Sequence, residues 1–297
     1  MIVDRDAVRA VTVAAPASGA SGRPRVLACA EQAPGELNTK TLASLTKTLG
    51  NGNGNWLYTL RRPDYKMLVL PAPAVQAGEM EQSLRWALTN QVDYPVDEAN
   101  VAWMKIPTLE QMPNRAEHVY VMVARQDVVT GAEQAFKAAG IDLAAVDVHE
   151  TAQRNIANLV GKPNEGVGLL RVGRDGVQFT VTYNGVLYME RFVVEALFDD
   201  KPQDPAAELR AMERIALQVQ RSLAFIERNM SFLTVARVLI APLPRPMPLE
   251  KTITELLDLP VEMLNLADCF DCSQVPDLLQ DKNQARFFTA LGAALRF

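Results

Sequence analysis

The sequence predicts an α/β protein of two related lobes around a cleft, with a small α+β unit inserted in the first lobe. Three observations predict it. Each half of the chain runs strands, then a helix, then a strand, then a helix. The second half opens on GVGLLRVGRDGVQFTVTYNGVLYMER at 166–191, three apolar or alternating runs joined by two tight turns. Residues 74–141 carry their own rhythm, helix–strand–strand–helix. The division is a first lobe of 1–73 plus 142–162, an insert of 74–141 and a second lobe of 166–297, with 163–165 as a linker.

In the first lobe, 7–13 and 26–31 read as strands around a Gly/Ser/Pro loop at 16–25. At 38–49, Leu42, Leu45 and Leu49 recur at helical spacing. NGNGN at 51–55 reads as a loop; Gly52 and Gly54 lack the third glycine, the following helix and the Gly-Lys-Ser/Thr of a nucleotide loop. Strands follow at 56–60 and 66–70. In the insert, 76–91 is a helix burying Met80, Leu84, Ala87 and Leu88. Strands occupy 100–106 and 118–124, and the helix at 126–139 closes on Gly140. A strand at 141–148 and a helix at 150–160, capped by Gly161, return to the first lobe.

In the second lobe, strands at 168–172, 177–183 and 186–192 turn at Arg174-Asp175-Gly176 and at Asn184-Gly185, a dipeptide of type I′ hairpins. An acidic loop at 199–205 precedes the longest helix, 206–230. Its Leu209, Met212, Ala216, Val219, Leu223, Ile226 and Met230 are spaced by three and four. That spacing suits a coiled-coil seam or a helix laid on its own lobe's sheet. Three heptads are short for a seam, so the second is expected. A strand at 235–241, a helix at 249–257, a strand at 261–264 and a helix at 284–297 complete the lobe.

Of 297 residues, 48% are apolar and 22% charged, with a formal net charge of −5. These are the proportions of a globular protein with a sizeable core. No cluster of five Lys/Arg residues offers a nucleic-acid footprint. No apolar run reaches 18 residues, and the first residues, MIVDRDAVRAV, lack a signal peptide's apolar region. A cytoplasmic protein is expected, meeting a membrane through a partner and not by insertion. Three cysteines are no disulfide framework.

A glycine-bearing turn between strands can cradle a phosphate while a nearby acid holds the metal. At 171–176 the turn is present, but Arg171 leads into it instead of an acid. Asp4 and Asp6 lack an accompanying phosphate turn. Asp142, Asp147 and Glu150 cluster around one strand end and suit the first turn of the next helix. Cys269 and Cys272 form a CxxC, but Cys29, His118 and His149 are not spaced to complete a zinc site, and no helix follows as in a redox site. Buried thiols are expected. No G-x-S-x-G or H-E-x-x-H occurs.

Several ordered segments together resemble the PilM-like actin-fold family of type IV pilus assembly proteins, and within it the branch of mannose-sensitive haemagglutinin (MSHA) pilus systems. They are Leu70-Pro71; MEQSLRW at 80–86 with VDYPV at 92–96; VMVAR at 121–125; FKAAGI at 136–141; and VDV at 146–148. QVQRSLAF at 218–225, with Gln218 in place of Glu, and ALGAALR at 290–296 continue the series. The resemblance implies an actin-like (ribonuclease H-like) fold with 74–141 inserted. It also implies a cytoplasmic scaffold at the inner membrane. Such a scaffold binds the N-terminal tail of a PilN-like bitopic membrane protein in a groove beside the insert, and other platform components or itself. Tyr65, Trp86, Tyr94, Trp103 and Met104 are the large residues near that groove. Some members bind ATP in the central cleft.

This chain departs from the family at each nucleotide motif. D-x-G-x-x-[ST]-x-K would lie at IVDRDAVR, 2–9, where only Asp4 remains. D-x-G falls on Arg171-Val172-Gly173, so the acid has become a base. The glycines of R-x-[IV]-x-x-GG are missing at 191–197, and those of the adenosine-side motif at 240–245. A metal–triphosphate needs acids for the metal and bare backbone for the phosphates. The expectation is a non-catalytic scaffold without cofactor; the alternative is an ATP/Mg-binding ATPase with a rewritten site.

Overall fold

The computed structural model describes residues 1–4, 6–16, 22–50, 54–107, 117–195, 197–198 and 204–296. Parts of the expected loops at 16–25, 51–55 and 199–205 lie outside these residues, as do Arg5, Gly52, Ala196 and Phe297.

The first lobe begins with β1 (Ile2–Val3), β2 (Val8–Ala14) and β3 (Arg25–Gln32), a meander, followed by α1 (Thr39–Leu49) and β4 (Trp56–Thr59). The Asn38 side chain caps α1 by accepting the Thr41 N–H at 2.9 Å. Next come β5 (Tyr65–Pro71), α2 (Met80–Leu88), β6 (Ala99–Ile106) and β7 (His118–Arg125). Then α3 (Gln126–Ala138), β8 (Leu143–Asp147) and α4 (His149–Val160) lead to the second lobe. That lobe holds β9 (Gly166–Gly173), β10 (Gly176–Tyr183), β11 (Val186–Val193), α5 (Pro205–Asn229), β12 (Val235–Ile240), α6 (Leu249–Thr254), β13 (Val261–Met263), α7 (Leu266–Cys269) and α8 (Asp281–Ala294).

The two large sheets have one topology. Their orders are β3-β2-β1-β4-β8 and β11-β10-β9-β12-β13. In each, a three-stranded antiparallel meander is extended by two parallel strands. A hairpin joins antiparallel neighbours through a short turn, whereas a parallel neighbour needs a helical crossover. Asn184 and Gly185 take φ of 47° and 76°, as the β10–β11 turn requires.

The lobes exchange helices. Helix α4 follows the first lobe's last strand yet lies on β9, β10 and β11 of the second. Helix α8 ends the second lobe yet lies on β2 and β4 of the first. They cross at Gly292, where a Cβ would collide with the Ala152 carbonyl. The Asn155 amide donates to the Gly292 carbonyl at 2.9 Å. Consequently Val26 of the first lobe and Leu169, Leu239, Phe270 and Phe287 from the second-lobe half share one apolar core with Ile156. The start of β3 also bonds to the second lobe: the Val26 N–H donates to Asp271 O, and the Asp271 N–H to Pro24 O, both at 2.9 Å.

The third sheet, β5-β7-β6, is antiparallel. Val119, Val121 and Val123 on its outer face pack with Met80, Leu84 and Leu88 of α2. Tyr120 and Ile106 on the inner face join the second lobe's core. Pairing and packing move the insert's edges from those read in the sequence. The strand assigned to the first lobe at 66–70 bonds along its whole length to β7. Helix α3, assigned to the insert, buries Phe136 against Trp56 and Tyr58 of β4, with ring centroids 6.0 and 6.2 Å apart.

Other differences are local. A 3₁₀ turn at Ala77–Glu79 precedes α2, which leaves Ala87 exposed. Gly161 has φ −72°, so α4 ends in extended backbone, not a left-handed cap. Helix α5 lies on its own lobe's core through Met212, Ala216, Val219, Leu223 and Ile226. Leu209, at 48% exposure, is off that face.

Gly292→Ala is expected to destabilise the fold by about 1–3 kcal/mol through the α4–α8 crossing. Gly131→Ala in α3, with open space around its Cβ position, should stabilise it by about 0.5–1 kcal/mol. Chemical denaturation of both variants checks the pair; equal effects would contradict the close crossing.

Candidate functional site

The cleft lies where the β1–β2 and β9–β10 hairpins approach each other. On the first side, Arg9 is only 3% exposed. Its guanidinium donates to Asp4 at 2.5 Å, Asp6 at 2.8 Å and Glu31 at 2.7 Å. Glu31 also pairs with Arg286 of α8. Burial opposes the Arg9 charge, but these partners outweigh it and hold the group above its usual range. Burial raises the Asp4 carboxyl, opposed by the charges of Arg171 and Arg9.

On the second side, Arg171 pairs with Asp175 at 3.2 Å. The two side chains fill the hairpin turn itself: a Cβ on Gly173 would lie 2.6 Å from Asp175 Oδ1 and 2.8 Å from Arg171 Nη2. Burial would raise Asp175, but Arg171 and then His149 hold it below the usual carboxylate range. His149 is buried and held well below its ordinary value, by burial first and Arg171 second.

Deeper in, Glu150 is fully buried, and Arg62 pairs with it at 2.6 Å. The Tyr65 hydroxyl donates to Glu150 at 2.8 Å and accepts the His149 N–H at 3.2 Å. Arg62 lies 4.0 Å over the Phe192 ring. Glu190 stands nearby on β11, its carboxyl raised to about 7 by burial and then by the charge of Glu150.

Asp4, Arg171 and Gly173, singled out from the sequence, are therefore brought together. The acids a metal would need are engaged by Arg9 and Arg171, and the turn a phosphate would need is occupied by side chains. Among the described residues, no three His, Cys, Asp or Glu side chains are grouped to hold a metal. The residues present do not fit a magnesium–triphosphate. The Asp142, Asp147 and Glu150 trio does not converge. Asp142 is exposed, Asp147 accepts the Val148 N–H at 2.8 Å and pairs with Arg296 at 2.8 Å, and Glu150 belongs to Arg62. Cys269 and Cys272 are buried in the shared core, and burial pushes the Cys269 thiol up to about 12.

The five large residues expected beside a groove are spread over the insert. Tyr65 is core, tied to Glu150. Met104 packs on the second lobe's core from the inner sheet face. Tyr94 and Trp103 pack with the α2 core on the other face. Trp86 is 80% exposed on α2. A pocket of about 280 Å³ opens between the insert and the second lobe, lined by Val69, Ile106, Tyr188, Met189, Phe225 and Phe232 among others. Sequence reasoning missed Arg62 and Glu190, which sit in an ordinary turn and strand and gain meaning only when the lobes meet.

No family model and no curated protein matches the chain. Solved structures do. The structure described as "PilM-PilN type IV pilus biogenesis complex" is 18% identical, covers 99% of this chain and 96% of that chain, and has a TM-score of 0.73. A Bacteroides thetaiotaomicron protein with actin-like ATPase fold and unknown function is 11% identical, with 91% of each chain covered and a TM-score of 0.47. The cytoplasmic domain of EpsL, from the type II secretion system of Vibrio cholerae, is 11% identical, covering 84% and 94%, with a TM-score of 0.46. The fold is actin-like: two lobes of matching sheet topology, and a likeness in the first of these structures that extends over both. No helix among the described residues is long and apolar enough to cross a membrane.

Glu190 holds a proton in the folded chain up to about pH 7, whereas an ordinary glutamate releases it near 4.5. Stability should therefore decline between about pH 4.5 and 7, by a few kcal/mol at most. Glu190→Gln should flatten that decline and be relatively more stable at pH 8 than at pH 5. Parallel pH profiles of Tm for the two proteins would contradict the assignment.

Proposed function

We propose that this chain is a non-catalytic scaffold of a type IV pilus assembly platform, of the MshI-like branch. It works at the cytoplasmic face of the inner membrane, docking the N-terminal tail of a PilN-like bitopic membrane protein. The observation that carries this reading is the likeness, over nearly the whole of both chains, to a structure described as a PilM–PilN complex. The state of the cleft supports the non-catalytic part: its acids and its glycine turn are engaged by the chain's own cations.

Docking calls for a sheet edge and apolar pockets, since an extended tail gains affinity from main-chain hydrogen bonds and specificity from alternate side chains. Strands β5 and β6 lie at the edges of the insert's sheet. Val69 on β5 and Phe225 on α5 are exposed apolar groups lining the adjoining pocket.

Isothermal titration with a synthetic peptide of the tail's first ~15 residues, a length that fits one groove, is expected to show saturable binding. Absence of binding to any PilN-like tail would refute the reading.

A further inference from the structure

Between α4 and the second lobe's sheet lies a polar layer that the apolar cores do not account for. Gln178, Thr180 and Thr182 alternate along β10 and are at most 2% exposed. Gln153, on α4, is 1% exposed. Its amide N–H donates to the Leu169 carbonyl and, at 3.4 Å, to the Gln178 carbonyl, which places it over the same face of the sheet. Glu190 stands directly across from Thr180 in the β10–β11 register.

Gln153 Oε1, both amide atoms of Gln178, the Thr180 and Thr182 hydroxyls and Glu190 Oε2 are buried and have no hydrogen-bond partner in the protein. Each such atom costs a sizeable share of a net stability that is itself small. A group serving the whole set has to donate to amide and carboxyl oxygens and accept from the Gln178 amide. Hydroxyls can do either. A metal cation cannot accept an N–H, an apolar group can do neither, and water does both.

We propose that this layer is a binding site for a cluster of ordered waters that joins α4 to β10 and β11, so that the lobes meet there through bound solvent. A buried water makes about two to four hydrogen bonds; about three waters would satisfy the set. The site extends toward the ion pairs of the cleft, since Arg171 lies across from Gln178 in the β9–β10 register.

Two measurements test it. Thr180→Val and Thr182→Val keep the shape and the β-branch and remove only the hydroxyl. With water bound, each deletes a partner of a retained water and lowers Tm by about 2–4 °C. Were the hydroxyls orphaned in a dry layer, the same changes would leave Tm unchanged or raise it, overturning the proposal. A crystal structure of the wild-type protein at high resolution decides independently, should a variant fail to fold. Density at hydrogen-bond distance from Thr180, Gln178 and Gln153 is expected. A dry layer in which the two glutamines pair with each other, or a single ion held only by oxygens, would overturn it.

Discussion

The crossing of α4 and α8 is the constraint on which the rest of the molecule depends. Each helix belongs to one lobe in sequence and covers the sheet of the other. Neither sheet can bury its inner face without the exchange, and Gly292 allows it by letting the two backbones meet. Asn155–Gly292 and Asp147–Arg296 tie the crossing with polar bonds at 2.9 and 2.8 Å. The shared core that results, from Val26 to Phe287, joins the two lobes on that side.

Within the cleft, the buried charges are paired with one another. A buried charge is tolerable only when paired and hydrogen-bonded. Arg9 is surrounded by three carboxylates, Arg171 answers Asp175, and Arg62 answers Glu150. Arg9 engages the acid, Asp4, and Arg171 with Asp175 fills the turn, that a metal–phosphate would otherwise require. Glu190 is the acid left over, and burial beside Glu150 keeps it protonated to near neutrality. The charges of the cleft are thereby answered within the chain itself, and a separate apolar pocket opens between the insert and the second lobe.

Much of this was legible in the sequence. The β9–β10–β11 meander, the Asn184-Gly185 turn and the Gly140 stop were read from local chemistry, which the backbone obeys whatever surrounds it. Arg171 stood out because its charge contradicts the turn it leads into. Less legible was whatever depends on distant packing. The strand at 66–70 looks the same in either sheet; only β7 decides where it pairs. Gln178, Thr180 and Thr182 alternate as a solvent-facing strand would, and α4 covers them. Tyr65 and Trp86 are both large aromatics near the insert, yet one is bonded to Glu150 in the core and the other stands in solvent. Size and position along the chain do not separate them.

The central claim is that the cleft is liganded by its own side chains. Amide hydrogen exchange with and without millimolar Mg-ATP tests it most directly, read at Val172–Gly176 and at the β1–β2 hairpin. The account predicts identical protection in the two conditions, because Arg171 and Asp175 already occupy the turn. Slower exchange of those amides in the presence of Mg-ATP would contradict it.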